Sequence, residues 1–118
     1  MTISEFKNLL NTLPEKIEFD QVMQVIECNY IYTPSRFTNG NDCDQITNEA
    51  GSNEGSCKIF AFARLNNLNK NQTLACFGKY YRHDVLDNPD NNDHANIRNF
   101  IEYGWNGIHF DAVALTEK

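Results

Sequence analysis

The sequence predicts an α+β fold, with about five helices packed against a small, mainly antiparallel sheet, and three observations predict it. Apolar residues recur at intervals of three and four near the amino terminus and again between Cys57 and Tyr103. Aromatic and β-branched residues cluster near 30–38, and apolar and polar residues alternate near 108–115. Two strand segments kept apart by helices leave both edges bare unless they pair, so the first is expected beside the second. At 118 residues with 41% hydrophobic content, the chain is sized for one domain, 1–118. Such a domain removes roughly 65% of its unfolded surface from water, enough for one modest core.

Each element has its own local cause. Thr2 and Glu5 stand at capping-box spacing, and Ile3, Phe6, Leu9, Leu10 and Leu13 follow as one stripe of a first helix that Pro14 stops. A second helix runs from near Asp20 to about Asn29, with Phe19, Val22, Met23 and Ile26 inward. "YIYTPSRFTNG" is a strand closing on Asn39-Gly40, a dipeptide suited to a tight turn, and Pro34 confines it to an edge or a bulge. The polar stretch Asn41 to Gly55 is loop, with one short return strand expected around Cys43 to Thr47.

Cys57 to Leu65 is apolar nearly all round, as a central helix packed on several sides must be. Asn69 with Gln72 opens the next helix, whose stripe of Leu74, Phe77, Gly78, Tyr81 and Val85 continues to Leu86, where Asp87-Asn88-Pro89 stops it. Asp93 is expected to cap a last helix with Ile97, Phe100 and Ile101 inward and Gly104 at its left-handed end. After Asn106-Gly107, Ile108, Phe110 and Ala112 alternate with His109 and Asp111. The asparagine-rich runs "LNNLNKNQT" and "DNPDNND" fit loops and caps.

Charge and cysteine usage exclude several classes of function. A formal net charge of -6, with scattered basic residues, opposes binding to a nucleic-acid backbone or an anionic membrane. No apolar run approaches the roughly 20 residues of a spanning helix. The amino terminus lacks a basic leader and a cleavage site, so a cytoplasmic chain with reduced thiols is expected. Cys28, Cys43, Cys57 and Cys76 are too dispersed to fix a zinc ion, so neither metal nor cofactor is expected. "DNPDNNDH" departs from the EF-hand pattern, since the turn glycine is absent and Arg98 stands where the closing Glu belongs.

The candidate polar site comprises Asn53, Glu54, Ser56, Cys57, His94, Asn96 and Arg98. A thiol in a first helical turn feels the positive helix end, so Cys57 is either an activated nucleophile or a small buried apolar side chain. His94 follows Asp93, and a nearby carboxylate can fix an imidazole's tautomer, which makes it the general-base candidate. Cysteine chemistry requires the two to meet. Gly51, Gly55 and Ser56 ahead of a helix could cradle an anion, without the lysine of a nucleotide-binding loop. Arg64, Arg82 and Arg98 lie among apolar neighbours, as arginines that bury their stems and clamp structure do.

The motifs "TNGNDCD", "SNEGSCKIFAFARL", "QTLACFGKYYRHDVL", "NPDNNDHANIRNFIEYGW" and "GIHFDAVALT", in this order over nearly the whole chain, resemble the HopJ type III effector family. The resemblance implies a small bacterial protein and supplies no established reaction, cofactor or catalytic set. Asn41 to Ala50 is longer and more polar than the family pattern, and Asn91-Asn92 stands where a glycine is expected. Against the export that the family name implies, Thr2 to Leu13 forms a well-capped amphipathic helix rather than a flexible polar leader. The sequence therefore points to a binding or interaction module for a small-molecule or protein ligand, with a small enzyme built on Cys57 and His94 as the alternative. It is silent on oligomeric state.

Overall fold

The computed structural model describes residues 1–118. Its order is α1 (Ile3–Thr12), α2 (Phe19–Asn29), β1 (Tyr30–Tyr32), β2 (Phe37–Asn39), β3 (Ile46–Asn48), α3 (Glu54–Leu65), α4 (Lys70–Ala75), a π-helical turn (Tyr80–Val85), α5 (Ala95–Tyr103), β4 (Ile108–Phe110) and β5 (Leu115–Glu117). This is an α+β arrangement with two small antiparallel sheets. No helix is long and apolar enough to cross a membrane.

The pairing of the 30–38 segment with the C-terminal segment is present, but a bend divides it. Tyr30 to Tyr32 pairs with Leu115 to Glu117, whereas Phe37 to Asn39 pairs with Ile108 to Phe110 and, on its other side, with Ile46 to Asn48. The break spans Pro34, which has no N–H to give a ladder. The return strand lies later than the sequence suggested, because Asp42–Asp44 winds into a short 3-10 turn that carries Cys43. Asn39-Gly40 is accordingly a strand end and not a two-residue hairpin turn. Gly40 takes φ +113 and donates its N–H to Gly107 O.

α3 is the centre of the fold. Cys57 and the unbroken run Ile59 to Ala63 are buried, and one cluster of buried side chains joins every helix and both sheets around them. Phe60 meets Phe37, Phe77, Phe100 and Trp105 at ring-centroid distances of 5.0–6.3 Å. Burying a side chain of this size stabilises by roughly 1.5–3 kcal/mol, so this apolar run anchors the elements around it. Arg64, in its last turn, lies 5.1 Å from the Trp105 ring and donates to Ile108 O at 3.0 Å.

The long helix expected from Asn69 to Leu86 is interrupted. Its start has the full capping box of Asn69 and Gln72, but α4 ends at Ala75. Gly78 then takes φ +59, and its backbone lies so close to α2 that a Cβ there would sit 2.8 Å from Phe19 N. The chain resumes in the wider π winding, with Leu86 N–H bonded to Tyr81 O. At the last helix the expected cap is displaced by one residue. His94 is the left-handed N-cap at φ 50, and Asp93 faces Arg98 instead.

Candidate functional site

A cleft of about 370 Å³ opens where α3 and α5 begin. Asn53, Gly55 and Ser56 form one wall, His94, Ala95 and Asn96 another, and Phe19, Tyr80, Phe77, Ile46 and Ile97 supply the apolar surface. Of the candidate residues, Asn53, Ser56, His94 and Asn96 therefore come together here. Glu54, Cys57 and Arg98 do not line it.

Both helix starts have the same local form. Asn53 at φ 51 and His94 at φ 50 are left-handed N-caps, and neither side chain caps its helix. A left-handed residue turns the chain sharply into the first turn, leaving that turn's N–H groups without the side-chain partner a capping box would give. At Gly55 a Cβ would lie 2.7 Å from Phe19 Cζ, so any other residue there must displace that ring. The Phe19 ring thus rests on the first turn of α3. It meets Tyr80 edge-on at 5.1 Å, and Tyr80 in turn lies 5.3 Å from the His94 ring.

His94 is held from the π turn. Its Nε2 lies 3.0 Å from Asp84 Oδ2 and 3.9 Å from Asp93 Oδ2, so the proton belongs on Nε2, where carboxylates accept it. Tyr80 and Asp84, four residues apart on the π winding, both reach the same imidazole. Arg98 fastens this loop from behind. It donates to Asp93 O and Oδ1 at 2.6 Å, and to the carbonyls of Asn88, Pro89 and Asp84. The guanidinium holds the Asp93 carboxyl below its ordinary value.

Beneath the cleft lies a network of side-chain amides. Asn39, Asn48 and Asn96 are 0%, 1% and 7% exposed, and burial at that depth requires partners. Asn39 Nδ2 donates to Asn96 O at 2.8 Å and to Asn96 Oδ1 at 3.1 Å. Asn48 Nδ2 donates to the same Oδ1 at 3.1 Å, Asn96 Nδ2 donates back to Asn48 Oδ1 at 2.8 Å, and Asn53 Nδ2 joins that oxygen at 2.7 Å. The network ties β2, β3, the α3 start and α5 into one unit. Among its buried atoms only Asn39 Oδ1 has no partner.

Cys57 belongs to a different environment. Its Sγ donates to Ser35 O at 3.6 Å on the side of the bend, near the buried Tyr32 hydroxyl, which has no hydrogen-bond partner. Burial pushes the Cys57 thiol up, and burial likewise raises the Tyr32 hydroxyl. His94 meets carboxylates, not this thiol. The geometry thus supplies no Cys57–His94 proton transfer. No three His, Cys, Asp or Glu side chains are grouped to hold a metal ion.

Sequence reasoning missed Phe19 as a cleft wall, Asp84 as the partner of His94, and the buried pair Asn39 and Asn48. Asn39 and Asn48 carried a faint signal, since each ends a run of β-formers where a strand would bury its side chain. Asp84 carried none that tied it to His94: it shares a face with Tyr80 at i, i+4 spacing, but only the packing of this turn against the α5 start brings that face to the imidazole.

No curated protein matches the chain. A crystal structure of the unknown-function protein VPA0580 is 57% identical, covers 100% of this chain and 95% of its own, and superposes with a TM-score of 0.95. The model of the family described as HopJ type III effector protein matches residues 3–115, and the chain belongs to that family.

Proposed function

We propose that the chain is a binding module whose ligand, a small molecule, enters the cleft between the starts of α3 and α5. One observation carries this reading: two helix starts with uncapping left-handed residues wall the same open cleft of about 370 Å³. That volume lies within the roughly 300–1,000 Å³ typical of ligand sites. Polar groups on one side and aromatic rings on the other are the usual composition of such sites. The buried amide network holds the polar wall in place, which keeps the ordering cost of binding low.

A fragment screen followed by amide NMR shifts tests the reading. Hits should converge on Gly55, Ser56, Ala95 and Asn96, and Ser56→Leu, which fills the cleft, should abolish them while the protein stays folded. Hits that cluster instead on a second, apolar groove lined by Ala61, Leu65, Phe110 and Val113, or the absence of any hit, would sink it.

In the same reading the chain works inside the cell that makes it. Thr2 to Leu13 supplies α1 and its caps, with Phe6 and Leu10 buried in the common core, so a leader threaded through a secretion channel must first be pulled from that core. Efficient type III export of a reporter fused to these residues would overturn this part alone. Neither nucleic acid nor a bound cofactor enters the reading, which rests on a neutral, hydrogen-bonding cleft in an acidic chain.

A further inference from the structure

The buried network does more than anchor the cleft, because it dictates which way each amide points. Asn96 Oδ1 receives two N–H groups, and Asn48 Oδ1 receives one from Asn96 and one from Asn53. Turning any of these amides over sets acceptor against acceptor and donor against donor. Asn53 is therefore fixed with its Nδ2 toward Asn48. Its Oδ1, which caps nothing and accepts no bond within the protein, is left free on a residue that lines the cleft.

Donors stand beside it in the Ser56 hydroxyl and in the first-turn N–H groups of α3, which lack a side-chain cap. No lysine or arginine lines the cleft, and Asp84 and Asp93 lie against His94. A full negative charge is thus poorly served, while a neutral group offering both N–H and C=O is well served. Across from these atoms the half-buried Tyr80 ring is held between Phe19 and His94 as a flat wall.

Resting on the binding reading above, we propose that the ligand is a flat aromatic or heteroaromatic ring carrying a carboxamide-type edge. Its N–H donates to Asn53 Oδ1, its C=O accepts from the start of α3, and its ring packs beside Tyr80.

The test is an amide NMR titration with benzamide, cyclohexanecarboxamide, benzoate and inorganic phosphate. Benzamide should shift Gly55, Ser56 and Ala95, and should bind several-fold more tightly than cyclohexanecarboxamide, about two- to twelve-fold for one ring contact. It should also bind more tightly than benzoate. In Asn53→Gly, a substitution compatible with the left-handed backbone, that advantage over benzoate should vanish. Tyr80→Leu should remove the advantage over cyclohexanecarboxamide. Equal or tighter binding of benzoate or phosphate at the same amides overturns the proposed ligand class and leaves the binding module standing. Silence of the cleft to all four probes overturns the ligand class too; silence to a general fragment library as well takes the binding reading with it.

Discussion

Two pairs of helix starts differ sharply in this molecule. α1 and α4 open with complete capping boxes, Thr2 with Glu5 and Asn69 with Gln72, each satisfying N–H groups reciprocally at 2.8–3.1 Å. α3 and α5 open on left-handed residues that cap nothing, and both face the cleft. The difference teaches where local sequence chemistry is spent on stability and where it is left available. Closed starts lie on exposed surface away from the cleft; the open ones are supported by the amide network beneath them.

The strongest way to break that contrast is Asn96→Ala. It strips an acceptor from Asn39 and Asn48 and a donor from Asn48; each keeps one other partner, in Asn96 O, Phe37 O and Asn53 Nδ2, so three buried hydrogen bonds worth about 1 kcal/mol each are lost without orphaning a group. Urea unfolding should show a loss of about 3 kcal/mol, at the upper end for single substitutions. A loss below about 1 kcal/mol would mean that the network does not support the cleft.

Asn69→Ala should cost about 1 kcal/mol through the lost cap, with no change in the cleft amides. Asn53→Gly should stay within about 0.5 kcal/mol of the parent, because glycine relieves the left-handed backbone as the bond to Asn48 is lost. Were the two variants to cost the same in denaturant unfolding, the distinction between closed and open starts would collapse.

Thiol chemistry sharpens the comparison at the α3 start. Cys28 and Cys43 are exposed, whereas Cys57 and Cys76 are buried with their thiols raised by burial, Cys76 to about 12. Iodoacetamide at mildly alkaline pH should therefore label the first two quickly and the others only on unfolding. Rapid labelling of Cys57 in the folded protein would show that the helix start activates it after all.

The smallest expected effect concerns the loop behind the α5 start. Arg98 lowers the folded-state pKa of Asp93, so at acid pH the unfolded chain binds more protons than the folded one. The contribution is present above the ordinary carboxylate value and is lost as pH falls through the lowered one. Asp93→Asn should flatten this acid limb, and the stability profiles of the two proteins should run parallel once pH has fallen below the lowered Asp93 value.

Much of the fold was legible because its signals are local. The Thr2/Glu5 box, the all-apolar run from Cys57, the Asn69/Gln72 start and the positive φ of Gly104 all depend on neighbours within a few residues. The π turn was not legible, since it follows from the close crossing of Gly78 over Phe19, fifty-nine positions earlier in the chain. For the same reason the bend that splits the sheet was only hinted at, by Pro34. At the site, polarity at two helix starts pointed to Asn53, Ser56, His94 and Asn96. Glu54 and Cys57 follow them in sequence, yet a helix turns each successive side chain by about 100°, away from the cleft. Arg98 sits behind the loop and positions it.

One bond described with α3 has a meaning for the molecule in company. Gly107 and Asp111 exchange hydrogen bonds with the β2 side of the ladder, so the Ile108 carbonyl between them points outward along the bare margin of the sheet. Arg64 occupies that carbonyl. A foreign strand arriving at β4 finds one docking group already taken and a cation beside it, which is how soluble chains discourage runaway strand addition. Arg64→Ala should leave the fold in place yet speed fibril growth at high concentration.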